Sequence, residues 1–200
     1  MQEVHSSTVT FVLGGVRSGK SRFAQRIASG FGSVLFIATA KPSDPDMELR
    51  IERHRSSRPP AWQTLEVPVD LDAAISSLQD PRQVAVIDCL TVYLANVMSK
   101  TAGQQSLIRV HTERLRSALQ TTKSPIIVVS NEVGSGVHAP TATGRLYCDL
   151  LGELNQQVAA LADNVILMVA GIALPVKGAL PIAGQSNFEI SREVLEAARL

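Results

Sequence analysis

Five short apolar runs constrain what this chain can fold into. TVTFVLG (8–14), SVLFIAT (33–39), QVAVIDCL (83–90), SPIIVVSN (124–131) and NVILMVA (164–170) are rich in Val and Ile and nearly continuous rather than alternating. A strand with one wet face alternates apolar and polar residues, whereas a continuous run needs cover on both faces. That is the signature of a parallel sheet held between helices. Helical spacing fills the intervals, at 20–30, 45–56, 70–79, 91–100, 105–121 and 143–162. Strands alternating with helices predict a doubly wound α/β domain, mostly parallel, with helices on both faces. WQTLEV (62–67) is a weaker strand candidate. Two hundred residues suffice for one such domain with a substantial core. The pattern assigns residues 1–177 to the domain and leaves 178–200 as a C-terminal tail without a role, ending in SREVLEAARL, which can form a short helix.

Composition narrows the function classes. Nineteen basic and 18 acidic residues give a net charge of +1, which argues against a general nucleic-acid binder. Cys89 and Cys148 have no CxxC spacing and make no disulfide framework, so reduced thiols in a cytoplasmic protein are expected. The start, MQEVHSST, lacks a basic region followed by an apolar stretch and does not read as a secretory signal. The longest apolar run, VILMVAGIALPV (165–176), is broken by Pro175. It is too short for a bilayer, which needs about 20 residues.

GGVRSGKS (14–21) fits G-x-x-x-x-G-K-[ST] and lies between a strand and a helix, the context that the phosphate-binding P-loop requires. Gly14, Gly15 and Gly19 let the backbone curve so that N–H groups point at phosphate oxygens, with Val16, Arg17 and Ser18 on the loop between them. The following helix adds the positive end of its dipole. Lys20 is placed to reach the β- and γ-phosphates, and the Ser21 hydroxyl to ligate Mg²⁺. A second metal ligand is expected at the end of another apolar strand, where VAVIDCL supplies Asp88. Asp88 also suits a helix N-cap or a solvated strand end.

RIERHRSSRPPAW (50–62) sets His54, one of only four histidines, among Arg50, Arg53, Arg55 and Arg58. The preceding residues predict a helix: Asp44 can cap it, Pro45 suits its first position, Asp46 and Glu48 favour its positive end, and Pro59 and Pro60 stop it. Met47, Ile51 and His54 share one helix face by spacing. A basic last turn can simply complement the helix dipole. That explains the arginines but not the histidine, because neighbouring positive charge disfavours imidazolium. A neutral imidazole among phosphate-holding arginines suits nucleophilic attack on phosphorus.

GGVRSGKS, FIATA, the E-R-H-R-x-x-R-P segment, Trp62, Glu66, Asp88, SNEVGSG and the late A-D-x-V-x-L-x-V-A-G strand occur in that order. With them the chain, over about residues 9–177, resembles the bifunctional adenosylcobinamide kinase / adenosylcobinamide-phosphate guanylyltransferase family of cobalamin biosynthesis. The resemblance implies a P-loop NTPase-like fold and two activities. The first is phosphorylation of the aminopropanol hydroxyl of adenosylcobinamide by ATP or GTP. The second is transfer of GMP from GTP, through a GMP-histidine intermediate, to give adenosylcobinamide-GDP and pyrophosphate. It places the nucleophile at His54 and nucleotide contacts at Gly14 to Ser21, at Ala38, Thr39 and Ala40, at Arg55, Ser56, Ser57 and Arg58, and at Glu66 and Asp88. It also implies a homo-oligomer, a trimer. Two positions depart from the family pattern: Arg53 stands where members often carry a second histidine, and Asp88 where some carry Glu.

Other candidates carry less. Asn131 and Glu132 of SNEVGSG lie at a strand's carboxyl end, where site residues collect, but a polar strand exit before a glycine turn explains them equally. His138 reads as a surface loop residue, and Trp62 as packing more than base stacking. The rival readings are a P-loop small-molecule kinase in which His54 is structural, and a regulatory or DNA-associated ATPase.

Overall fold

The computed structural model describes residues 8–42, 45–56, 58–136 and 138–180. Seven strands form one sheet: β1 (Val9–Gly14), β2 (Ser33–Ala38), β3 (Gln63–Glu66), β4 (Gln83–Asp88), β5 (Ile126–Val129), β6 (Asn164–Val169) and β7 (Ile172–Lys177). Their spatial order is β3-β2-β4-β5-β1-β6-β7. All neighbours are parallel except β6 and β7. Helices α1 (Lys20–Ala28), α2 (Pro45–Ser56), α3 (Leu71–Ser76), α4 (Leu90–Lys100), α5 (Gln105–Thr121) and α6 (Ala142–Leu161) connect them.

Two apolar cores explain the continuous runs. Alternate strand residues such as Phe11, Ile37, Ile87 and Val128 pack against α3 to α6, and the intervening ones, Val12, Phe36, Val86 and Val129, pack with Phe23, Ala24 and Ile27 of α1. Each central strand is therefore buried on both faces, which the doubly wound reading requires.

The sequence pattern misses one element. The strand read at 164–170 is β6, and the apolar run continues past it into a second strand, β7, which forms a hairpin with β6. Ala170 (φ 51°) and Gly171 (φ 86°) make a two-residue turn with both φ positive, as a tight hairpin needs. Pro175 is tolerated because β7 is an edge strand. Continuous apolarity hides such a turn, since no polar residue punctuates it. The weak candidate at 62–67 is the opposite edge strand, β3, and its four residues are all exposed. Asp44 and Ser57 lie outside the described residues, as do the side chains of Met47, Arg53 and His54, so the reading of a cap and of a shared helix face is not addressed there. The tail beyond Leu180 also lies outside.

Candidate active site

Because the strands are parallel, the segments leaving β1, β2, β3, β4 and β5 emerge along one edge of the sheet. These segments hold the P-loop, Ala38 to Ala40, Glu66, Asp88, and Asn131 with Glu132. The register is explicit: Glu66 pairs with Ala38, Ala38 with Asp88, Asp88 with Val129, and Val129 with Val12. One row of residues thus crosses five strands. In-register neighbours of parallel strands point to the same face. Ala38, Val129 and Val12 belong to the core beneath α1, so Glu66 and Asp88 stand on the α1 face. They are two strand spacings apart, roughly 10 Å between Cα atoms.

The P-loop leaves β1 on that face. Gly14 has φ 149°, and a Cβ there would lie 2.4 Å from the Met168 carbonyl oxygen, so the position admits only glycine without backbone movement. Gly19 has φ 98° and caps α1 without a side-chain hydrogen bond. Gly15 differs from the expectation: a Cβ there meets nothing within 4 Å and its φ is ordinary, so sterics alone do not demand glycine. The hairpin turn closes the loop from behind, with Gly171 N–H donating to the Ser18 carbonyl at 3.0 Å. Lys20 is buried, and its Nζ donates to the Gly15 carbonyl at 2.5 Å and to Ser18 Oγ at 3.5 Å. Its ammonium therefore already points along the loop, and the loop's own oxygens hold it there. Val16 and Arg17 form the exposed crest, with Arg17 at φ 58°.

Ala38 ends β2, and Thr39 and Ala40 follow it. Thr39 is fully buried, and its Oγ1 donates to the Cys89 carbonyl (2.8 Å) and accepts from the Cys89 N–H (2.9 Å). Asn96 of α4 donates to the Thr39 carbonyl at 2.8 Å and to the Pro68 carbonyl at 3.1 Å. Thr39's hydroxyl is thus committed to holding the exits of β2 and β4 together, next to Asp88.

The arginine segment approaches the same face from the β3 edge. Arg55 and Ser56 are exposed on the last turn of α2. Arg58 turns inward: its guanidinium carbon lies 3.8 Å from the centroid of the Phe36 ring, and Nη1 donates to Thr64 Oγ1 at 3.2 Å. Burial pulls its pKa down. The carboxylates of Asp88 and Glu66 oppose that effect, and Arg55 adds to it. The structure therefore brings together Arg58, Glu66 and Asp88, which sequence reasoning expected, with Phe36 and Thr64, which it missed. Period-2 spacing from Glu66 and Ala38 was the available signal for both.

Asn131 and Glu132 sit beside the loop, with Glu132 N–H donating to the Gly14 carbonyl at 3.1 Å. The Glu132 carboxylate accepts from Gly134 N–H, which supports the turn reading for this glutamate. Asn131 is held through its backbone by Thr91 Oγ1 (3.0 Å) and by Asn155 (3.0 Å). Tyr147 donates to the Thr91 carbonyl at 3.0 Å, and burial raises its pKa. His138 is exposed, and Trp62 packs against the core beneath α1, both as expected. Cys89 and Cys148 are free thiols.

Residues 10–176 match the family described as cobinamide kinase / cobinamide phosphate guanyltransferase. The chain belongs to that family. Its relatives include the bifunctional adenosylcobalamin biosynthesis protein CobP of Pseudomonas aeruginosa, 40% identical over 168 residues, covering 84% of this chain and 96% of the relative. The CobU protein of Escherichia coli, with the same description, is 34% identical over 177 residues, covering 83% and 98%. That of Salmonella typhimurium is 33% identical, also covering 83% and 98%. Among solved structures, a type III secretion ATPase superposes with a TM-score of 0.56 at 11% identity, covering 96% of this chain and 61% of that one. A protein of Pyrococcus horikoshii OT3 gives 0.53 at 7% identity, covering 90% and 94%. At those identities the likeness concerns the fold alone.

Among the described residues no group of three or more His, Cys, Asp and Glu side chains is placed to hold an ion. Ser21 and Asp88 offer hard oxygens and are half-buried. Such a sparse oxygen set fits Mg²⁺, which keeps waters and substrate phosphates as its remaining ligands.

Proposed function

We propose that this member of the family is a cytoplasmic enzyme that phosphorylates adenosylcobinamide with ATP or GTP, then transfers GMP from GTP to the product through His54. The observation that carries this reading is the common face: the P-loop, Asp88, Glu66 and the arginine segment all border the α1 side of one sheet edge. One nucleotide site can then serve both reactions.

In the kinase step the loop N–H groups and Lys20 hold the β- and γ-phosphates while the acceptor hydroxyl attacks the γ-phosphorus. Ser21 and Asp88 would hold Mg²⁺, which neutralises charge on the phosphates. In the transfer step a neutral His54 nitrogen attacks the α-phosphorus, a P–N bond forms, and the bond to the β-phosphate oxygen breaks, releasing pyrophosphate. The corrinoid phosphate then attacks that phosphorus and frees the imidazole. Neighbouring arginines favour the neutral ring and offset charge that grows on the phosphoryl oxygens. Ala38 to Ala40, Arg55 to Ser57 and Glu66 complete the nucleotide contacts in this reading, and the tail from 178 lies outside it.

The chain is also expected to assemble as a homo-oligomer, a trimer by family resemblance. Val169, Ile172, Leu174 and Val176 at the β6–β7 edge leave apolar surface for such a contact. No described helix is long and apolar enough to cross a membrane.

Incubation with GTP labelled at its α-phosphate tests the central claim. An acid-labile, base-stable GMP adduct should form on the protein and disappear in His54→Ala, which retains kinase activity. Persistence of the adduct in that variant would move the nucleophile elsewhere. Kinase activity with no adduct in the unaltered protein would favour the simple kinase.

A further inference from the structure

We propose that Arg58 is a positioning residue: stacked on Phe36 and bonded to Thr64, it pins the end of the His54-bearing helix to the floor of the site. This rests on the assignment of His54 as the GMP acceptor. The resemblance places Arg58 among the nucleotide contacts, but its geometry is that of an anchor. The guanidinium carbon lies over the Phe36 ring, one Nη is committed to Thr64, and Nε is buried with no partner among the described residues. A bidentate phosphate ligand needs that fork turned to the ligand.

The floor beneath it is rigid. Phe36 is 2% exposed, in the core beneath α1, and it pairs in register with Thr64 on β3 and Val86 on β4. Arg58 thus lies one same-face step below the row that carries Glu66 and Asp88, and their carboxylates face its charge. The connection to the nucleophile is short. Arg58 N–H donates to the Arg55 carbonyl at 3.2 Å, so the chain still turns tightly where α2 ends at Ser56. His54 is four residues back in the chain, on the last turn of α2. Fixing Arg58 therefore fixes the turn that bears residue 54. Lysine cannot substitute, because it has no planar face to lie on the ring.

The test is the rate of covalent GMP labelling of the full chain as a function of GTP concentration. Arg58→Ala and Arg58→Lys should both lower the saturating rate about ten-fold or more, because small misplacement of a reacting group is costly. The GTP concentration for half-saturation should move by less than about three-fold, since the P-loop still binds the phosphates. Thr64→Val, on an exposed edge strand, and Phe36→Leu should shift the saturating rate in the same direction by a smaller factor while thermal unfolding confirms folding. Restoration by lysine, or a loss confined to half-saturation, would make Arg58 a phosphate ligand and overturn the proposal. An adduct that forms at the same saturating rate in all four variants overturns it too, with the His54 assignment left standing. Failure of the unaltered protein to form any adduct overturns both.

Discussion

Residues 14–21 and residues 54–58 are both assigned to phosphate chemistry, yet they meet the rest of the molecule in different ways. The P-loop presents backbone groups, and its shape is enforced by neighbours that are themselves backbone: the Met168 carbonyl against Gly14 and the Gly171 N–H on Ser18. The arginine segment presents side chains at the end of a helix whose last turn is exposed at Arg55 and Ser56. Among the described side chains of this segment Arg58 reaches the core, and its partners come from β2, β3 and β4. A site made of backbone travels with a contiguous stretch of sequence. A site made of side chains depends on which distant strands lie beneath it.

Lysine removal tests that contrast most strongly. Lys20→Ala should slow both the phosphorylation and the GMP-transfer reactions ten-fold or more, because a charge-assisted phosphate contact contributes roughly 1.5–3 kcal/mol. His54→Ala should affect only the second. A kinase rate near normal in Lys20→Ala would show that the two regions do not share one nucleotide.

Gly14→Ala probes the loop's shape. The new Cβ would meet the Met168 carbonyl at 2.4 Å in a backbone conformation that alanine resists, so a stability loss of about 2–3 kcal/mol is expected by denaturant titration. Gly15→Ala should leave stability within about 0.5 kcal/mol, since the added methyl meets nothing. Equal losses at the two positions would mean the loop is not shaped by the hairpin behind it.

Asp88 belongs to both regions, as expected metal ligand and as electrostatic partner of Arg58. Asp88→Asn should raise the Mg²⁺ concentration for half-maximal kinase activity roughly ten-fold. An unchanged metal dependence with slower GMP labelling would assign it to the arginine segment alone.

The smallest effect is expected away from both. Tyr147→Phe removes the hydrogen bond to the Thr91 carbonyl and should cost about 1 kcal/mol near neutral pH. Burial first, then the charges of Cys89 and Cys148, raise the Tyr147 pKa above the ordinary value near 10. The folded state therefore binds a proton that the unfolded state releases. That contribution is whole below pH 10 and declines above it. The stability gap between the two proteins should narrow in alkali, and a gap that widens would contradict the burial of this hydroxyl.

Most of the strand order along the chain was legible, because both-face burial leaves Val- and Ile-rich runs that are nearly continuous. The hairpin at Ala170 and Gly171 was not, since a two-residue turn inside an apolar run carries no composition signal. In the site, the P-loop was readable as eight consecutive residues. Thr39 follows β2, and its hydroxyl is bonded to the backbone of Cys89, fifty residues away. The pairing of β2 with β4 determines that partner, and a list of contact positions does not carry it.

By itself the sequence determined the alternation of strands and helices, the phosphate loop and a histidine set among arginines. These follow from local rules: periodicity, glycine conformational freedom and charge spacing. The tertiary structure alone decided that Glu66 and Asp88 share a face with the loop, that Arg58 lies on Phe36, and that a hairpin supports Gly14. Those contacts join residues far apart in the chain, and their geometry comes from strand register and from which face each alternate side chain occupies.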